Sequence, residues 1–69
     1  MQIGRIKKNK VTEIHVDLTT EGKYTGLNIR EWLDTETYTG PTKKGLIIPL
    51  DKLESFKKMV DKATKKAGG

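Results

Sequence analysis

The apolar residues of this chain change period at Pro49, and that change limits the possible folds more than any other feature. Upstream, "VTEIHVDL" alternates: Ile14, Val16 and Leu18 fall on one side, Glu13, His15 and Asp17 on the other. A period of two marks a strand with one buried face. Downstream, Leu53, Phe56, Val60, Ala63 and Ala67 recur at intervals of three and four, with Met59 beside them. That spacing draws one face of an amphipathic helix.

The rest of the chain fits the same division. "QIGRIKKN" is a short basic strand, closed by a turn at "NK". "TTEGK" is a second turn, in which Gly22 is free to take positive φ. "YTGLNIREWL" is the third strand, with Leu27 and Ile29 on one face and Tyr24, Gly26, Asn28, Arg30 and Trp32 on the other. "DTETYTGPT" is a polar loop, and "KKGLIIP" is a fourth strand that Pro49 ends. Asp51, with Glu54 three residues on, resembles a capping box, and Gly68 and Gly69 stop the helix. The order is β-β-β-β-α in a single domain of the α+β class. It comprises a four-stranded antiparallel sheet over about residues 2–49 and one helix over about residues 50–66. The helix is expected to cover the apolar face of the sheet.

Size sets the next limit. A chain of 69 residues buries little surface, and small domains are commonly held by disulfides, metals or a second subunit. There is no cysteine and one histidine, His15, so disulfides, thiolate metal sites and histidine clusters are excluded and no cofactor is expected. A second copy of the chain is left as support, with Leu53, Phe56, Met59, Val60 and Ala63 in the core or at a homodimer interface. A helix of about 16 residues is roughly 24 Å long, short for hiding both a sheet and its own apolar stripe.

The 14 Lys and Arg residues outnumber 9 Asp and Glu, a net charge of +5, which favours a polyanionic partner. No apolar run approaches the ~20 residues of a membrane span, and "MQIGRIKKNK" carries charge without an apolar h-region, so a signal peptide is not expected. An enzyme is not expected: no nucleophile stands in a motif with a base, and no glycine-rich phosphate loop opens a helix. Asn28, Arg30, Trp32 and Tyr24 on a sheet face interleave aromatic and basic groups, which suits single-stranded nucleic acid. The same chemistry is open to RNA, and a basic face could also meet an acidic protein, so an RNA-binding module and an interaction adaptor stand as alternatives.

The segments "QIGRIKKN", "IHVDL", "GKYTGLNIREWLDTE" and "GPTKKGLIIPLDKLESFKKMVD" resemble the DNA-binding domain of the transcriptional coactivator p15 family, also called positive cofactor four. The resemblance runs from about Gln2 to Asp61 and rests on "IREW", "PTKKG" and the approach to the helix, in that order. It implies a curved four-stranded sheet with one helix, a homodimer, and binding of single-stranded DNA with little sequence preference. It also implies a role in transcription, or in replication, recombination or repair, beside the proteins of those processes. Carried over by motif, Arg5, Lys23, Tyr24, Arg30, Lys43 and Lys44 face DNA, and Lys7 adds to the basic field. Trp32 has two readings, a platform for a base or packing in the dimer, because the family's stacking tryptophan stands one position later, where this chain has Leu33. The Ser- and Lys-rich tail of eukaryotic members is missing, which points to a prokaryotic, archaeal or phage source or to a trimmed chain. The expected location is intracellular: cytoplasm or nucleoid in the first case, nucleus if eukaryotic.

Overall fold

The computed structural model of the protein describes residues 1–68, and within them the β-β-β-β-α order holds. Strands β1 (Gln2–Lys7), β2 (Thr12–Thr19), β3 (Gly26–Asp34) and β4 (Thr39–Ile48) form one open antiparallel sheet in sequence order. A 3-10 turn at Leu50–Lys52 leads into helix α1 (Leu53–Gly68).

Local chemistry sets the turns. Between β1 and β2 the Asn9 side-chain oxygen accepts from the backbone N–H groups of Val11 at 3.0 Å and Thr12 at 2.9 Å. Asparagine folds chains this way because its short side chain imitates a backbone carbonyl. Between β2 and β3 the Thr25 hydroxyl donates to the Gly22 carbonyl at 2.6 Å, and Gly22 has φ of 90°. Gly26, where β3 begins, has φ of 140°, and a Cβ there would stand 2.5 Å from the Ile48 carbonyl oxygen. Only glycine suits that position.

Strand pairing confirms the alternation. Ile14, Val16 and Leu18 of β2 lie opposite Glu31, Ile29 and Leu27 of β3, on one face. Leu46 and Ile48 of β4 extend it at one side, opposite Ile29 and Leu27, and Ile6 of β1 at the other, opposite Ile14.

Four expectations need correction. Tyr24 belongs to the β2–β3 turn, because β3 starts at Gly26. The stretch read as a polar loop shrinks to the link after Asp34, because β4 starts at Thr39 and takes in Gly40 and Pro41. Pro41 is tolerated because β4 is an edge strand, where a missing N–H breaks no ladder. Asp51 does not cap: Pro49 stands at the start of the 3-10 turn with no side-chain cap bond, and its carbonyl accepts from Lys52 N at 2.9 Å. Gly68 is the last residue of α1 rather than its stop, and Gly69 lies outside the described residues.

The largest correction concerns the second layer. The helix does not cover the sheet: its contacts are chiefly with the 3-10 turn before it. The molecule is a plate with an arm, 38 × 37 × 17 Å. Among the described residues no hydrophobic side chain is buried, and the buried positions are Thr12, Gly26 and Gly40. Leu53 and Phe56 are half-buried, while Met59, Val60 and Ala63 are exposed, Met59 at 62%. A single sheet layer has nothing to bury its apolar face against, which is why no core forms within one chain.

Candidate nucleic-acid interface

Antiparallel pairing turns the polar positions into rows across the sheet. Arg5, His15, Arg30 and Gly45 form one row from β1 to β4. Lys7, Glu13, Trp32 and Pro41 form the next. Asp17 and Asn28 begin a third, toward the β2–β3 turn. Residues opposite each other in such a pair share a face and touch, so Arg5, Lys7, Asn28, Arg30 and Trp32, expected together, are together.

Trp32 is half-buried, and its ring lies against the His15 imidazole with centroids 4.7 Å apart and 5° between planes. His15 lies two residue pairs along the β2–β3 ladder from Trp32, the diagonal reach typical of aromatic groups. Its Nε2 lies 3.0 Å from a Glu13 carboxylate oxygen, so an imidazole protonated there donates to the carboxylate. That hydrogen bond foremost, and the charges of Arg5 and Lys7 across the strand pair, hold the Glu13 carboxyl below the usual carboxylate value, against a partial desolvation that raises it.

Arg30 is anchored as well as charged. Its Nη1 donates to the Thr42 carbonyl at 2.9 Å, leaving the other N–H groups of the five-donor fork for a ligand. Thr42 sits in a bulge. Arg30 pairs with Gly45 and Trp32 with Pro41, so Thr42, Lys43 and Lys44 together oppose Glu31. The Thr42 hydroxyl donates to the Glu31 carbonyl at 3.2 Å and accepts from Lys44 N at 3.1 Å, which fixes the bulge. The backbone that carries Lys43 and Lys44, both exposed, is thus tied to the strand that carries Arg30. Bulges re-aim side chains at sheet edges in this manner. Gly45 closes the bulge, where a Cβ would stand 2.6 Å from the Ile29 carbonyl oxygen.

At the opposite end of the face the Asn28 amide nitrogen donates to Thr19 Oγ1 at 3.1 Å and to the carbonyls of Tyr24 and Gly26, both at 3.3 Å. Asn28 therefore fastens the turn that presents Lys23 and Tyr24. Tyr24 is 60% exposed, with Lys23 Nζ 5.7 Å from its ring centroid. Tyr38 folds back near Gly40, its hydroxyl donating to the Pro41 carbonyl. Glu31 lies on the apolar face and pairs with Lys8 at 3.5 Å.

Comparison with family models, with curated proteins and with solved structures returned no match.

The residues missed from sequence are His15 and Glu13. Both stood on the correct face by alternation, and the sign of their role was the register between β2 and β3. The helix residues Leu53, Phe56, Met59, Val60 and Ala63 lie apart from this face, on the arm. No group of three or more metal-ligating side chains converges among the described residues, and no helix is long and apolar enough to cross a membrane.

Proposed function

We propose that this protein binds single-stranded DNA through the polar face of its sheet and works as a homodimer in transcription or in replication, recombination or repair. The observation that carries the reading is the pair of cross-strand rows. Arg5, Lys7 and Arg30 surround one aromatic stack, with Lys43 and Lys44 at the edge and Lys23 and Tyr24 at the turn. Cations take phosphates, and rings take the faces of unpaired bases, which a duplex hides. The resemblance of "IREW" and "PTKKG" to the positive-cofactor-four family supports the same ligand. The absence of buried hydrophobic side chains among the described residues supports the dimer: a second copy would cover the apolar sheet face and the stripe of α1. The implied location is an intracellular compartment that contains nucleic acid.

The test is fluorescence anisotropy of a labelled single strand of about 20 nucleotides, titrated at several salt concentrations with the matched duplex and an RNA strand as competitors. If Arg5, Lys7, Arg30, Lys43 and Lys44 each neutralise one phosphate, log K falls on log salt with a slope of about −3.5 per chain. Duplex that competes equally would reduce the face to a generic basic surface. RNA that outcompetes DNA would replace the ligand, and binding indifferent to salt would end the reading.

A further inference from the structure

His15 has no motif around it in the sequence, yet the fold sets it at the centre of the polar face. Arg5 stands opposite it on β1 and Arg30 opposite it on β3. Glu13 accepts from its ring nitrogen, Trp32 lies flat on its ring, and its side chain is only 13% exposed. These contacts form a chain of orientation. Glu13, opposite Trp32 in the adjacent row, fixes the roll of the imidazole. The imidazole in turn fixes the tilt of the indole. A tryptophan on an open strand turns about two side-chain bonds, and a ligand that stacks on it must first order it. Here one face of the indole is already occupied, and a base stacking on the other face extends an existing pile of rings.

Resting on the single-strand reading above, we propose that His15 is a positioning residue of the nucleic-acid interface. Held by Glu13, it fixes the Trp32 indole as a flat platform for one unpaired base. The flat ring at position 15 sets the indole, and the Glu13 hydrogen bond adds only to the roll of that ring, so the stack and not the hydrogen bond or a charge is what the role requires.

The chain has a single tryptophan, so its fluorescence reports this site alone. The variants are His15→Ala, His15→Phe and the Trp32→Ala pair with and without His15→Ala. Two quantities are read: acrylamide quenching of the free protein, and affinity for the single strand across the salt series. In His15→Ala the indole becomes more open to quencher, and affinity falls about threefold to tenfold, with the salt slope unchanged. His15→Phe restores both the low quenching and most of the affinity. In the Trp32→Ala background, His15→Ala causes no further loss. His15→Leu keeps bulk without a flat ring and takes the place of His15→Ala if alanine unfolds the chain.

Equal quenching in wild type and His15→Ala would overturn the proposal. So would losses of His15→Ala and Trp32→Ala that add, or a His15→Phe no better than alanine. In all three cases wild-type binding, and the function with it, would stand. A wild type that fails to bind single strands is a different result, overturning the function and the platform together.

Discussion

Trp32 is where stacking and charge separate most cleanly. Removing its ring in Trp32→Ala is expected to weaken single-strand binding by about 1–3 kcal/mol, the usual worth of a stacked base. The salt slope should stay as it was, because no phosphate contact is lost. Anisotropy at three salt concentrations checks both numbers, and a changed slope would mean that the ring had been ordering a cation. Glu13 gives a second prediction at this scale. Its carboxyl is held below the ordinary value by the His15 hydrogen bond and by Arg5 and Lys7. Its folded pKa is depressed, so its contribution to stability is complete above the ordinary carboxylate range. That contribution is lost as pH falls through the folded value. Urea midpoints measured from neutral to acid pH should drop in wild type, and Glu13→Gln should flatten that part of the drop. A variant that tracked wild type would show that the pair adds nothing to folding.

The β4 bulge decides more than any other element. It turns a run that reads as loop into strand and places two lysines on a section of backbone tied to Glu31 and anchored by Arg30. Gly45 has no space for a side chain, whereas Gly4, on β1, has nothing within 4 Å of where a Cβ would stand. Gly45→Ala should therefore destabilise the protein by roughly 1–3 kcal/mol, and Gly4→Ala should stay within about 0.5 kcal/mol of wild type. Denaturation of both variants in urea gives the comparison. Two equal values would mean that the bulge relaxes without strain. The bulge was hidden in the sequence for a definite reason. Gly40 and Pro41 are turn residues by local preference, and only pairing with Leu33 and Trp32 holds them extended. The helix was plain, since its apolar stripe persists from Leu53 to Ala67 whatever it packs against.

At the largest scale the described residues form a sheet and an arm with no buried hydrophobic core among them. Such a chain is expected to gain stability from association, so its thermal midpoint should rise with protein concentration. Sedimentation should report a dimer, and Phe56→Asp, which puts a charge on the stripe of α1, should shift it toward monomer and lower the midpoint. A midpoint independent of concentration, with a monomer in sedimentation, would remove the homodimer from the functional reading. The sequence alone determined the strands, the helix, the antiparallel class and the polar face, because each follows from periods of two or 3.6 that neighbouring residues set. Basic character, the lack of cysteine and the single histidine followed from counting residues. Tertiary structure alone decided that His15 meets Trp32, that Arg30 anchors the bulge, and that α1 leaves the apolar face open. Those are facts of register and docking between segments far apart in the chain. Local periodicity fixes which side a residue faces, but not what lies opposite it.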